Sequence, residues 1–274
     1  MCSLSSIPEP PVLGGSIIVK NRTASEKTST RESSEEKELD DSCCVGNGDN
    51  NAIYKGQYKN HMRHGEGELL WTNGDKYKGS FRDNMMDGKG TLVFGDDRGG
   101  EYVGEWCFNQ MHGQGTRSYR NGDVFVGSYQ KGSREGEGRF YFANGDLYWG
   151  EFRKNLMHGA GRYYFAGGQS FAGTFVNGKR MGKGKIQRND GSIEIYQYVN
   201  NSRVGQGVRW SKDRTKAWRL WKKAGVSPKS TGSTGKSTEE RKMSVTEAAT
   251  LVQEIEQASK EILATYDVLH TPNL

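Results

Sequence analysis

The sequence predicts a mainly β protein: an elongated, single-layer antiparallel meander of β-hairpin repeats, with a disordered N-terminal tail and one C-terminal α-helix. Three observations predict it. Paired glycines recur at a fixed spacing: their first members are Gly65, Gly88, Gly113, Gly136, Gly159, Gly182 and Gly205, at steps of 23, 25, 23, 23, 23 and 23 residues. A fixed period over this many copies is the mark of a repeat architecture. Each copy opens on an aromatic-x-Gly-x-aromatic alternation of period two, the strand period. Asn-Gly-Asp returns at 73–75, 121–123 and 144–146 between alternating runs, and Asn-Gly in that setting signals a hairpin.

The first copy shows the logic. In Tyr54-Lys55-Gly56-Gln57-Tyr58, residues 54, 56 and 58 share one strand face. Two aromatics flank a glycine there, whose missing side chain leaves room for a ring over the backbone. Six polar residues follow, and then Gly67, Leu69 and Trp71 repeat the same parity. The Asn73-Gly74 pair predicts a type I′ turn, with positive φ at both central residues. Tight two-residue turns are therefore expected along one edge and longer polar loops along the other. The 25-residue step places two extra residues around Asp96 to Gly100. With strands ~4.8 Å apart, each repeat advances the sheet by roughly 10 Å.

The rest of the chain divides by composition. Of 274 residues only 33% are hydrophobic, and the mean hydropathy is −0.85, so a large globular core is excluded. Residues 1–51 are rich in Ser, Thr, Glu and Lys and cannot bury enough apolar surface to offset ordering. The repeats, six to seven in number, occupy 52–210. Residues 211–223 form a basic, Trp-rich cap, and 224–243 read as a flexible Gly/Ser/Thr/Lys linker. Ser244-Val245-Thr246-Glu247 is a capping box. Apolar residues from Ala248 through Leu251, Val252, Ile255, Ala258, Ile262, Leu263 and Tyr266 to Leu269 then follow helical spacing, which predicts an amphipathic helix over 244–270.

The Tyr-x-Gly-x-aromatic, Gly-x-Gly, aromatic-x-x-Gly-Asp order resembles the MORN (membrane occupation and recognition nexus) repeat. The resemblance covers about residues 52–188. A seventh copy, Tyr196-Gln197-Tyr198 to Gly205-Gln206-Gly207, is degenerate, with Tyr196 where the strand glycine should stand. Terminal repeats are usually atypical, so capping is the favoured reading of that copy and the edge of a binding site the other. The resemblance implies an elongated hairpin sheet acting as a scaffold. It would bind protein segments and, as proposed for some members, contact phosphoinositide membranes.

Catalytic signatures are lacking: there is no Gly-x-Ser-x-Gly, His-Glu-x-x-His or Cys-x-x-Cys. His64, His112 and His158 recur in one column two repeats apart, roughly 20 Å along the sheet. Ligands of one zinc ion lie ~2 Å from it, so these histidines read as loop-packing residues. Gly232-Ser233-Thr234-Gly235-Lys236-Ser237 lacks the first glycine of a phosphate loop, Ser230 standing there, and no strand precedes it. No enzyme activity, cofactor or metal is expected. Cys2, Cys43, Cys44 and Cys107 have no metal spacing. No signal peptide or apolar run of membrane-spanning length is visible, so the expected location is cytoplasmic, or peripheral at a membrane or the cytoskeleton.

Two candidate surfaces remain. The first is an aromatic groove of Tyr54, Tyr58, Tyr77, Phe81, Tyr102, Trp106, Phe125, Tyr129, Tyr148 and Phe152. These rings are mainly core, yet a single layer leaves part of such a face open, and an exposed apolar stripe marks an interaction site. The expected occupant is a protein segment, helical or extended. The 244–270 helix is the chain's own candidate: docking in cis is favoured, and self-association through it is the alternative. The second surface is the basic C-terminal end, where residues 202–223 hold eight bases and one acid. Its candidates for anionic-lipid contact are Lys179, Arg180, Lys183, Lys185, Arg209, Trp210, Arg214, Trp218, Arg219, Trp221, Lys222 and Lys223. Nucleic acid is disfavoured as a partner. The leading function is a non-catalytic scaffold binding a segment along the aromatic face; a peripheral membrane module is the alternative.

Overall fold

The computed structural model describes residues 44–45, 52–95, 99–222 and 238–270, with backbone alone at 44, 45, 222, 238 and 266–270. The predicted tail, most of the predicted linker and the insertion at Asp96 fall largely outside these residues. Sixteen strands, β2 (Ile53–Lys59) to β17 (Thr238–Met243), follow one another in an open antiparallel meander. A two-residue β1 (Cys44–Val45) pairs with β2. Each repeat supplies a seven-residue and a nine-residue strand: β4 (Lys76–Arg82) with β5 (Met85–Val93), and β6 (Glu101–Cys107) with β7 (Gln110–Ser118). The series continues with β8 (Val124–Gln130), β9 (Ser133–Tyr141), β10 (Leu147–Arg153), β11 (Leu156–Tyr164), β12 (Ser170–Val176), β13 (Lys179–Gln187), β14 (Ile193–Val199) and β15 (Ser202–Trp210).

The two edges are the reverse of the sequence expectation. Where six-residue polar loops were expected, strands continue to within two residues of each other. Asn60-His61, Asp83-Asn84, Lys154-Asn155 and Asn200-Asn201 all have positive φ at both positions, as primed turns require. At the Asn-Gly edge only the glycine is left-handed, with φ of 83° at Gly74. Trp71 N–H donates to the Asp75 carbonyl, and Gly74 N–H to the Trp71 carbonyl, at 2.9 Å each. This is a three-residue loop, a turn closed by a left-handed glycine. The glycine serves both turn types, so the dipeptide alone does not separate them.

Both edges are stitched between repeats. The Asp75 carboxylate accepts from Gly95 N–H at 2.9 Å, Asp123 from Ala143 N–H and Asp146 from Ala166 N–H at 2.8 Å. On the other edge Asn84, Asn109, Asn155 and Asn201 side chains accept from backbone N–H groups one repeat earlier, at 2.8–2.9 Å. Asn155→Ala removes such a bond and leaves alanine at a φ of 69°. We expect a loss of about 1–2 kcal/mol in urea unfolding, of which Asn155→Gly recovers the backbone part.

One face carries the interior. The ring of each leading aromatic bends along its own strand and covers the glycine pair. Tyr77 lies over Gly79 and Gly90, which are register partners, and a Cβ at Gly90 would overlap the ring. The Tyr77 hydroxyl donates to the Ser80 carbonyl at 3.0 Å. Each ring then meets the second aromatic of its own repeat and that of the next, edge to face. Tyr77 sits 5.1 Å from Phe81 and 5.3 Å from Trp106, and Tyr102 5.2 Å from both Trp106 and Tyr129. Such pairs contribute about 0.5–1.5 kcal/mol each beyond burial. The ladder runs from Tyr58 to Tyr198.

At the C-terminal end the sheet does not stop at the repeats. The segment read as a basic cap contains β16 (Ala217–Lys222), and the end of the predicted linker forms β17, paired to it in register from Ala217↔Met243 to Lys222↔Thr238. The helix α1 (Val245–His270) begins with the predicted capping box: Glu247 N–H donates to Ser244 Oγ, and Ser244 N–H to the Glu247 carboxylate. It docks in cis, but not on the aromatic stripe. Ala248, Leu251 and Ile255 pack with Val208 and Ala217, and Ile195 and Trp210 flank them. Strand alternation and register put those residues on the face opposite the ladder. The ladder face is called inner below, and the helix face outer.

Candidate functional site

The structure places nine of the ten predicted groove residues in the interior: Tyr54, Tyr77, Phe81, Tyr102, Trp106, Phe125, Tyr129, Tyr148 and Phe152 are all buried. Their rings fill one another's faces, so they support a surface without being one. Tyr58, at the open end of the ladder, is the exception at 41% exposure. Burial pushes the hydroxyls of Tyr54 and Tyr102 up to about 12 and drives those of Tyr77, Tyr129 and Tyr148 higher still.

On the inner face the accessible aromatics include the third ring of each of the first five repeats. Trp71, Phe94, Tyr119 and Phe142 are half-buried on the inner face beside the Asn-Gly edge, and Phe165 is exposed. The strand β3 (Met62–Leu70) leads directly into Trp71, and the equivalent strands lead into the others. Phe140 and Tyr163 join Tyr119, Phe142 and Phe165 into a row. Phe140 lies 6.0 Å from Tyr119 and 4.6 Å from Phe142, and Tyr163 lies 5.6 Å from Phe142 and 4.8 Å from Phe165. These pairs are tilted rather than edge to face. Guanidinium planes interleave: Arg117 lies 3.8 Å over Phe94 and 4.9 Å over Tyr119, and Arg134 lies 5.1 Å over Phe140. An open depression of about 330 Å3 is lined by Tyr119, Arg120, Asn121, Asp123, Arg134 and Phe140. The third ring was legible in the repeat pattern; what the pattern lacks is the knowledge that the first two rings bury each other.

The row ends in charge. In the sixth repeat Arg188 takes the third-ring position, and in the seventh Glu194 takes the leading-ring position. Glu194 is 1% exposed and takes hydrogen bonds from Arg188 (2.9 and 3.0 Å) and Arg209 (2.7 and 3.0 Å), with Arg203 at 3.5 Å. Burial raises its carboxyl, but the bonds from Arg188 and Arg209 outweigh that and hold it below the ordinary carboxylate range. Tyr196, in the glycine position, fills the space left by the missing leading ring, and its side chain covers Gly207.

The predicted lipid-contact residues do not form one surface. Arg180, Arg209 and Trp218 lie on the inner face, and Lys183, Lys185, Trp210, Arg219 and Trp221 on the outer, by register. Several are engaged within the fold. Lys183 pairs with Glu256 at 2.8 Å, Arg209 with Glu194 and with Glu240 at 2.7 Å, and Trp221 Nε1 donates to Glu239 at 2.8 Å. Trp210 packs beside α1. Lys179 and Arg214 are exposed, Arg214 donating to the Ser211 carbonyl at 2.6 Å. Lys222 lies in β16, and Lys223 falls outside the described residues.

The histidine column sits at the bulges of the nine-residue strands, where its members face the next turn. His64 Nδ1 lies 3.6 Å from Asp83, and in the same column Glu135 accepts from Lys154 N–H at 2.8 Å and Met181 Sδ from Asn200 N–H at 3.5 Å. These residues buttress turns. Among the described residues no group of three His, Cys, Asp or Glu could hold a metal ion, and no helix is long and apolar enough to cross a membrane.

The MORN repeat family profile matches seven segments: 54–76, 77–97, 102–124, 125–147, 148–170, 171–193 and 197–216. A comparison with curated protein sequences gives no match. Among solved structures, the chain is similar to the TCP domain of SAS-4 from Drosophila melanogaster, solved in complex with a proline-rich motif of Ana2. The identity is 11%, covering 63% of this chain and 99% of that one, with a TM-score of 0.36. The TCP10c domain of Drosophila melanogaster Sas-4 aligns at 15% identity over 55% of this chain and 88% of that one, with a TM-score of 0.33.

Proposed function

Because the chain belongs to the MORN repeat family, we propose that it is a repeat scaffold that binds a protein segment along the inner face, on the third rings from Trp71 to Phe165. The observation that carries this reading is the difference between the two sets of rings. The ladder rings are buried by one another, whereas the third rings are half-open, tilted and interleaved with Arg117 and Arg134. An apolar strip of this kind on a single-layer sheet is where a partner gains burial. The half-buried Arg134 guanidinium favours a segment carrying a carboxylate beside its apolar anchors; that of Arg117 is buried and already donates to the Ser118 and Gly99 carbonyls.

The test is affinity purification with the full chain and with the Trp71→Ser, Phe94→Ser, Phe142→Ser variant, with quantitative mass spectrometry. We expect at least one partner to fall more than tenfold on the variant and to persist at 0.5 M salt, since apolar contact is weakly screened. Unchanged recovery of every partner would sink the assignment. A second reading, contact of the basic end with an anionic lipid surface, is favoured by the exposed Lys179, Lys185 and Arg214. It requires vesicle binding that disappears at high salt and on charge reversal of Arg214 and Arg219.

A further inference from the structure

The outer face already holds one helix, and its terms are visible. Under α1 the seat is apolar, formed by Val208, Ala217, Ile195 and Trp210. Bases stand beside it: Lys183 Nζ meets the Glu256 carboxylate at 2.8 Å, and Arg219 and Arg241 are close enough for their charges to act on Glu247. An amphipathic helix with carboxylates on its flank therefore fits this face of this sheet.

The same chemistry recurs on the outer face of β8 to β11. Register aligns Val126, Arg139, Trp149 and Arg162 in one row across four strands, and Leu147 with Tyr164 in the next. Val126 is 41% exposed, and Leu147, Trp149 and Tyr164 are half-buried. The Arg139 guanidinium lies 4.8 Å from the Trp149 ring centre, and that of Arg162 lies 5.8 Å from Tyr164, whose hydroxyl it reaches at 3.2 Å. Among the described residues neither arginine has a carboxylate at ion-pair distance. At the α1 seat, by contrast, Lys183 does.

We propose that this patch is a second helix seat. It takes a partner's amphipathic helix of the α1 type, with its apolar side on Trp149, Leu147 and Val126 and its flanking carboxylates on Arg139 and Arg162. A cation stacked on a ring and covered by a docking helix is desolvated, which strengthens its pairing with a carboxylate. A flat lipid surface suits the patch poorly. α1 stands on the same face, and a helix is about 10 Å thick, so it holds a bilayer off the strands beside it.

The experiment uses the full chain and a fluorescent peptide with the sequence of residues 244–265 as probe. We expect saturable binding that weakens at least tenfold in the Arg139→Ser, Trp149→Ser variant and when the peptide's glutamates are replaced by lysine. Phe142→Ser, on the inner face, should leave it unchanged, which separates this seat from the strip proposed above. Arg139→Glu, Arg162→Glu serves as a second variant that leaves the apolar packing intact. Absence of probe binding overturns the proposal. So does binding that survives both variants, which would mean exchange with α1 at its own seat. Sedimentation of the chain with phosphatidylcholine–phosphatidylserine vesicles, lost in the same variants, would assign the patch to membrane contact instead.

Discussion

Tyr102→Ala should cost about 3–5 kcal/mol, the range for deleting a fully buried aromatic. The ring is 0% exposed, stacks edge to face on Trp106 and Tyr129, and covers Gly104 and Gly115. Its hydroxyl also satisfies the Glu105 carbonyl at 2.9 Å. Because each repeat touches only its neighbours, the loss falls on one interface in the middle of the array. Urea unfolding followed by circular dichroism should then split into two transitions, one for each side of the break. Tyr58→Ala, at the ladder's exposed end, should cost far less; equal costs would show that the ladder is not the main source of stability. The same burial gives an alkaline signature. A tyrosine titrating near 12 when folded and near 10 when unfolded contributes stability that is complete below about pH 10 and is lost as pH rises toward 12.

Glu194→Ala should be comparably severe, about 3–5 kcal/mol, because it strands the guanidiniums of Arg188 and Arg209 around a vacated buried site. Glu194→Gln keeps the volume but not the charge and should fall between the two. The carboxyl is held below its ordinary value. Its contribution is therefore present above the unfolded value of about 4.3 and lost as pH falls through the lower folded value. The gap between wild type and Glu194→Gln should accordingly be full at pH 7 and close in acid. A gap that does not change with pH would mean that the cluster is held by packing rather than by charge.

The period of 23 residues specified the meander because glycine, aromatic and turn residues each repeat a backbone demand. Tyr77, Gly79 and Gly90 could be placed on one face from alternation alone. The turn types could not, since Asn73-Gly74 satisfies two loop geometries, and the choice is made by where the strands end. The full extent of the rings' burial was illegible for a related reason. Tyr77 and Phe81 look identical in pattern to an exposed stripe until each ring is seen to cover its neighbour. At the C-terminal end, Thr238-Glu239-Glu240-Arg241-Lys242-Met243 has no strand alternation of its own. It becomes β17 because β16 offers it an edge. The helix face was correctly periodic, but periodicity names no partner, and α1 chose Val208 and Ala217 over the rings.

The stitched edges set a rule for how the protein can change length. Every ladder contact between neighbouring repeats lies within 5.0–5.3 Å, so any repeat offers the next the same surface. Removing residues 102–124 would bring Tyr77 against Tyr129 in place of Trp106, although Gly132 would stand where Asn109 accepts from Met86 N–H and that stitch would be lost. Removal of a single residue within a strand would instead turn every following ring to the wrong side. Whole copies can thus be gained or lost by duplication and deletion in the gene, while odd-numbered changes within the strands are fatal. The reach of the scaffold can be adjusted in fixed increments without redesigning its interior.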